Sequence, residues 1–204
     1  MIQVFHCEQG SEEWFRCRLG IPTASEFKSI LARGEGRTRR TYMLKLAGER
    51  LTGEPAEAFT NIHTERGRIM EGEARRLYAF LNDVELQSVG FVRNGNTGCS
   101  PDSLIGDGGV LEIKTKLPHL QIEVLIADQL PPEHKPQVQG HLLVCERDFV
   151  DFASYWPKIP LFRKRIGRDE PYIRMLKSEI DRFNDELDAP TERLVRAGAT
   201  RVAA

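Results

Sequence analysis

Ser100-Pro101-Asp102 and, ten residues beyond the aspartate, Leu111-Glu112-Ile113-Lys114-Thr115-Lys116 place two carboxylates and an ammonium at a spacing that suits phosphodiester chemistry. In a strand alternate residues share a face, so Glu112 and Lys114 point one way and Leu111 and Ile113 the other. Gly106-Asp107-Gly108-Gly109 is a strong hairpin signal, because such turns need positive φ. That hairpin folds Asp102 back beside Glu112 and Lys114. Carboxylates held close together repel unless a cation sits between them, and a hard divalent ion with a preference for oxygen ligands, such as Mg²⁺, meets that need. Such an ion holds a phosphodiester oxygen, lowers the pKa of a bound water and stabilises charge on the leaving oxygen. Lys114 would orient or help deprotonate the water and balance charge in the transition state. An isolated Glu-x-Lys on a solvent-facing strand would be decoration. The preceding Pro-Asp and a turn of the right length argue for a site.

The elements that must carry these residues can be read from the pattern. Ser11 followed by Glu12 and Glu13 opens a helix, with acids in the first turn facing the positive end of the dipole. The chain turns at Leu19-Gly20-Ile21-Pro22, and Thr23-Ala24-Ser25-Glu26 has the form of a capping box opening a helix through about 31. Gly34-Glu35-Gly36 reads as a loop leading to an Arg-rich approach and a helix ending near Gly53. A longer helix is expected over 64–81, with Ile69, Leu77 and Phe80 on its apolar side. Strands follow over roughly 84–93, 98–105 and 110–116, then helices over 118–127 and 133–145 and a strand over 149–156. A last helix, 170–187, puts Ile173, Leu176, Ile180, Phe183 and Leu187 at three-to-four-residue spacing, as core or subunit-interface material. The expected fold class is α/β, a small central mixed β-sheet flanked by helices.

At 204 residues and 40% hydrophobic, the chain can bury one full core, so a single domain over 1–188 is expected, with 189–204 a flexible tail. The 29 Lys+Arg nearly cancel the 30 Asp+Glu, so the net charge of −1 gives no bulk argument for nucleic acid, and any DNA contact must come from segregated charge. The four cysteines, at 7, 17, 99 and 145, form no CxxC pair, and no His cluster stands at zinc spacing. Nothing has the pattern of a signal peptide or approaches the roughly 20 apolar residues of a membrane span. The expectation is a reduced, cytoplasmic protein of a bacterial cell or phage-infected host, with no membrane partner.

The Pro-Asp…Glu-x-Lys pattern resembles the PD-(D/E)xK nuclease superfamily, and more specifically the phage lambda exonuclease family of recombination exonucleases. The closer resemblance is carried by Trp14…Arg18-Leu-Gly-Ile-Pro-Thr-Ala-Ser25, by Met70-Glu71-Gly72-Glu73-Ala74-Arg75-Arg76-Leu77-Tyr78, by Cys99-Ser100-Pro101-Asp102 with Leu111-Glu112-Ile113-Lys114, and by Gln137-Val138-Gln139. It implies a restriction-endonuclease-like core and a 5′→3′ exonuclease on double-stranded DNA ends, releasing mononucleotides and leaving a 3′ single strand. It also implies two Mg²⁺ ions (with Mn²⁺ able to substitute), a ring-shaped homotrimer around DNA and a single-strand annealing protein as partner. Position by position, Asp102 and Glu112 match metal ligands, with the main-chain carbonyl of Ile113 a further ligand, and Lys114 matches the catalytic lysine. Glu71 matches a helix acid that reaches the metal from outside the sheet. It is otherwise a surface carboxylate pairing with Arg75, and Glu73 is its near neighbour and rival. Gln137 matches a glutamine that contacts the nucleotide or the attacking water, with Gln139 on another face of the same helix. Many relatives carry Tyr where this chain has His141, which leaves that position open between a packed and a DNA-facing histidine.

An exonuclease must measure from a chain end, which calls for a pocket that takes a terminal phosphate. Thr23–Glu26 offers a helix N-terminus, Ser25 a hydroxyl and Arg18 a bidentate guanidinium. The resemblance assigns the Arg18/Ser25 pair to the 5′-phosphate pocket; ordinary capping and a surface ion pair are the plain alternative. Arg33, Arg37, Arg39 and Arg40 form one basic cluster and Arg163, Lys164, Arg165 and Arg168 another, each a candidate for salt-sensitive contact with DNA phosphates or a solvated face. Trp14 either stacks near the terminal base or packs the first helix. Two other readings stand beside the exonuclease: an endonuclease on the same fold, which needs no pocket for an end, and a DNA-end-binding scaffold without catalysis.

Overall fold

The computed structural model describes residues 1–32, 37–56 and 62–198, with side chains in the fourth helix from Arg66 onward. The expected 34–36 loop and Arg33 lie outside the described residues. The elements run β1 (Ile2–Phe5), α1 (Glu12–Arg18), a 3₁₀ turn (Ala24–Glu26), α2 (Phe27–Ile30), α3 (Arg37–Thr52), α4 (Ile62–Asn82), β2 (Leu86–Gln87), β3 (Phe91–Asn94), β4 (Thr97–Cys99), β5 (Ser103–Ile105), β6 (Gly109–Thr115), α5 (Pro118–Ala127), a second 3₁₀ turn (Pro132–His134), α6 (Lys135–Cys145), β7 (Phe149–Tyr155), β8 (Phe162–Gly167) and α7 (Glu170–Arg196).

The main sheet is mixed, as expected, with strand order β2-β5-β6-β7-β8. The hairpin β5–β6 forms on Gly106, whose φ of +48° turns the chain, and aligns Ser103 with Leu111. β6 and β7 run parallel, Glu112 opposite Phe152, so α5 and α6 make the crossover that parallel strands require. Both central strands are buried on both faces, which hides the alternation that marks a half-exposed strand. On one face Leu111, Ile113 and Ala153 pack against Ala74 and Tyr78 of α4. On the other, Val110, Val150 and Phe152 join Val138 and Leu142 of α6 and the whole predicted stripe of α7, from Ile173 to Leu187. A second antiparallel sheet, order β1-β3-β4, lies against α6. Neither β1 nor β8 was evident from the sequence.

Four expectations need correction. The face of α4 that packs on the sheet is Met70, Ala74 and Tyr78, whereas Ile69 is 58% and Phe80 83% exposed. Small Ala74 lets the helix lie close, and the Tyr78 hydroxyl donates to buried Asp151. The capping box does not form. Thr23 makes no side-chain cap bond, its N–H donates to the Tyr42 hydroxyl at 3.1 Å, and Glu26 accepts from Ser29 at 2.7 Å. Thr23 is held extended instead, bridging to Gly98 of β4. The basic segment 163–168 is neither a bare solvated face nor a free cluster, but belongs to β8 and the turn after it with its charges engaged inside the fold. There Arg165 makes a bidentate pair with Asp151 at 2.8 Å, Lys164 reaches Asp128, Arg163 reaches Asn82 and Arg168 holds the Leu142 and Arg147 carbonyls. Finally, α7 does not end at 187 but runs to Arg196 through Pro190, with Thr191 buried and its hydroxyl donating to the Leu187 carbonyl.

Candidate active site

Glu112 lies mid-strand in β6, 2% exposed, on the face turned toward α6. Its Oε1 accepts from Lys114 Nζ at 2.6 Å and from Gln137 Nε2 at 2.7 Å, and its Oε2 meets His141 Nε2 at 2.8 Å. Lys114 comes from the same strand by the period of two, and Gln137 and His141 from one face of α6 by the i,i+4 spacing. Asp102 stands in the turn into β5, its N–H bonded to the Leu111 carbonyl at 3.2 Å and its Oδ2 accepting the Ile113 N–H. The hairpin therefore does bring Asp102 beside Glu112 and Lys114.

These charges act on one another. Burial works against ionisation of Glu112, but the Lys114 ammonium and the hydrogen bond to His141 more than offset it and hold the carboxyl down at about 2. Burial pushes Asp102 well above the usual carboxylate range, and the charges of Glu112 and Glu71 push it further against the Ile113 N–H and Lys114. Glu71, on α4, is raised by burial too, with Arg75 and Lys114 opposing and Glu112 reinforcing. Burial disfavours the Lys114 ammonium, yet Glu112, Asp102 and Glu71 together raise its pKa. The donor set is thus three mutually repelling carboxylates, all hard oxygens, which suits a divalent cation of the Mg²⁺ class. Glu71 is engaged with Arg75 at 2.7 Å, and among the described residues no three metal-ligating side chains stand gathered as they would around an ion. Its rival Glu73 turns away, accepting from the Tyr155 hydroxyl at 3.2 Å.

A sign follows for stability. A carboxyl whose folded pKa is raised contributes stability that is present below its unfolded value and lost as pH rises through the folded value. Asp102→Asn removes that loss, because the amide oxygen still accepts from Ile113. In EDTA the variant should melt higher than wild type at about pH 8, with the gain gone at about pH 4. Thermal melts at both values check it, and a variant less stable at the higher pH would show that the carboxylates do not repel.

A second feature is a pocket of about 220 Å³ lined by Trp14, Arg18, Thr23, Ser25, Tyr42 and Lys45 among others. The Arg18 guanidinium lies 3.7 Å over the Trp14 ring and forms no ion pair with a described residue. Burial lowers its pKa, opposed by Tyr42, Glu49 and Glu26, which line the same pocket. A cation so placed calls for an anionic ligand. Because the element after Thr23 is a three-residue 3₁₀ turn and then the four-residue α2, the dipole contributes little. The anion-binding character rests on Arg18, Lys45 and the hydroxyls of Ser25 and Thr23, whose oxygens lie 3.3 Å apart.

The pocket is tied to the carboxylates. Trp14 Nε1 is 3.0 Å from the Ser100 hydroxyl and 3.0 Å from the Gly90 carbonyl, and Gln9 donates to the Pro101 carbonyl at 2.9 Å. Gly98 N–H and the Thr97 hydroxyl both reach the Pro22 carbonyl. The strand that enters Ser100-Pro101-Asp102 and the loop that carries Thr23 and Ser25 therefore hold each other in place.

Comparison with known proteins agrees with this arrangement. Residues 13–148, which contain the pocket and the carboxylate cluster, match the model of the YqaJ-like viral recombinase domain. The chain belongs to the YqaJ-like viral recombinase family. The resemblance to lambda exonuclease is thereby borne out. Among solved structures, the alkaline exonuclease LHK-Exo from Laribacter hongkongensis superposes with a TM-score of 0.84 at 33% identity, covering 92% of this chain and 97% of that chain. LHK-Exo in complex with dAMP gives 0.85 at the same identity and coverage. A phage-related exonuclease from Haemophilus somnus 129PT, 15% identical and covering 85% of this chain and 96% of that chain, shares the fold with a TM-score of 0.64. A comparison with curated protein sequences finds no match.

Within this family framework, the structure gathers Asp102, Glu112, Lys114 and Gln137, with Glu71 close enough for its charge to be felt, and sets Arg18, Ser25 and Thr23 in the pocket. Arg37 and Arg40 are exposed in the first turn of α3, and Arg39 pairs with Glu186 beside the Phe183 ring. Gln139 is spent on structure, joining the Gly167 carbonyl and the Asp169 N–H. The sequence left His141 open between packing and DNA, and gave Lys116 and His134 no role. His141 is buried on Glu112. Lys116, which shares the face of Glu112 and Lys114 by strand period, lies 3.1 Å from His134 Nε2. His134 stacks on Phe152, and burial together with Lys116 lowers its pKa to about 4. Lys45 is a third omission, a pocket lysine with no motif around it.

Proposed function

We propose that the protein is a Mg²⁺-dependent 5′→3′ exodeoxyribonuclease. It degrades one strand of linear duplex DNA from a 5′-phosphorylated end, releasing 5′-mononucleotides and leaving a 3′ single strand for recombination by strand annealing. The observation that carries this reading is the coupling of two sites: an anion pocket around Arg18 joined through Trp14 and Ser100 to the carboxylate cluster at Asp102. A nuclease that cuts internally has no use for the first. The dAMP named with LHK-Exo is a product of the expected kind.

Asp102, Glu112, Glu71 and the Ile113 carbonyl would hold the cation, Glu71 turning from Arg75 to join them. When bound, a divalent cation neutralises these carboxylates, lowers the pKa of the attacking water and stabilises the leaving oxygen. Lys114, whose ammonium the three carboxylates favour, would donate to the water and to the charged phosphate. Gln137 exchanges its bond to Glu112 for one to the water or the nucleotide. Arg18, with Ser25, Thr23 and Lys45, fixes the terminal phosphate and thereby the bond that reaches the cluster. A ring-shaped homotrimer and a single-strand annealing partner belong to the same proposal.

Digestion of linear duplex carrying distinct 5′ and 3′ labels tests it. With Mg²⁺ the 5′ label should appear in mononucleotides first, and with EDTA nothing should be released. Covalently closed circular duplex cut as fast as linear duplex, or early release of the 3′ label, would sink the proposal.

A further inference from the structure

The functional reading leaves one buried group beside the cluster without a task. His141 is 1% exposed, its Nε2 is 2.8 Å from Glu112 Oε2, and its Nδ1 is buried without any partner. An orphaned buried N–H is rarer and costlier than an acceptor left unfilled, so the proton belongs on Nε2, where the carboxylate accepts it, and Nδ1 is bare. The ring cannot easily leave. It sits on α6 next to Gly140, where an added Cβ would come within 2.6 Å of the Phe27 ring, so helix and core are in close contact at this turn.

The other two donors on Glu112 differ in kind. Lys114 and Gln137 both address Oε1, both have long flexible side chains, and both are asked to serve water and substrate. A carboxylate offers about four lone-pair directions, of which three are taken here. Once Lys114 and Gln137 turn to the substrate, His141 is the donor that still fixes the plane of the carboxylate.

We propose that His141 is the positioning residue of this cluster: through Nε2–H it fixes Glu112 Oε2 and so sets which lone pairs Glu112 presents to a divalent cation. The inference rests on the reading of Asp102, Glu112 and Glu71 as a cation site. Hydrogen-bonding partners behind metal ligands typically contribute about 10–100-fold in metal affinity.

Calorimetric titration of the full chain with Mn²⁺, without DNA, tests it on wild type, His141→Phe, His141→Gln and Asp102→Asn. Phe keeps a ring and removes the donor, and should weaken Mn²⁺ binding by about 10–100-fold. Gln returns an N–H at similar reach and should recover most of that loss. If Phe binds Mn²⁺ as wild type does, or if Gln is as weak as Phe, His141 does not position Glu112. If wild type and Asp102→Asn bind Mn²⁺ alike, the cation reading itself is at fault. Should Phe fail to fold, ¹⁵N spectra of wild-type His141 decide: a proton on Nε2 supports the assignment, and a proton on Nδ1 with Nε2 bare overturns it.

Discussion

Asp102→Ala, Glu112→Gln and Lys114→Ala should each slow phosphodiester hydrolysis by at least about 10³-fold, ~4 kcal/mol in the transition state, while linear duplex is still bound. The three losses have different origins. Asp102→Ala removes a negative charge that the apo cluster bears at a cost, so it should leave the fold intact and abolish cation binding. Lys114→Ala removes the donor facing the water, and leaves Glu112 ionised with Gln137 and His141. Glu112→Gln is the one that also touches stability. The depressed pKa of Glu112 means its ionised form contributes stability that is present above the usual carboxylate range and lost as pH falls toward about 2. That contribution disappears in the glutamine variant, so its melting temperature must be measured beside its rate. Single-turnover cleavage of end-labelled duplex, with binding measured separately in Ca²⁺ or EDTA, separates chemistry from association. A variant cleaving within tenfold of wild type would remove that residue from the site.

The reach of the sequence divides along a physical line. Asp102, Glu112 and Lys114 were legible because a hairpin and a strand are local objects: period two and a glycine turn suffice to place them. The α7 stripe was legible for the same reason, since a helix with one buried face writes that face at fixed spacing. What could not be read depends on partners distant in sequence. Arg165 reads as a free charge until Asp151, its neighbour across β7 and β8, is seen to accept from both Nε and Nη2. Asp151 in turn accounts for Tyr78, a residue that hydrophobicity ranks below Ile69 and Phe80 although it is the one buried. His141 stayed open between packing and DNA because nothing local distinguishes a histidine that packs from one that holds a carboxylate. The capping box misled in the opposite way. Thr-x-x-Glu had the right letters, but the Tyr42 hydroxyl took the Thr23 N–H and the Thr23 carbonyl took the Glu26 N–H, the two groups that a capping box would have used.

Arg18→Ala should lower kcat/KM on 5′-phosphorylated duplex ends by about 10–100-fold, the loss of roughly 1.5–3 kcal/mol of charge-assisted hydrogen bonding, and should hardly change action on 5′-hydroxyl ends. The reason is the state of the guanidinium before substrate arrives. It is half-buried, stacked at 3.7 Å on Trp14, and disfavoured in its charged form by that burial. Glu49 and Glu26 act on it without forming an ion pair, so a terminal phosphate can engage the guanidinium directly, whereas a hydroxyl end brings no charge and gains nothing from the arginine. Arg18→Lys discriminates further. It keeps a charge but loses the planar fork and the stack on Trp14, so it should recover part of the preference and not all of it. The alternative is that Arg18 merely props Trp14, and with it Ser100 and the turn into Asp102. In that case Ala would depress the rates on both kinds of end equally, and lysine would rescue neither. Rates on paired phosphorylated and hydroxyl substrates, with thermal melts of each variant, decide between an end-reading pocket and a structural support for the carboxylates.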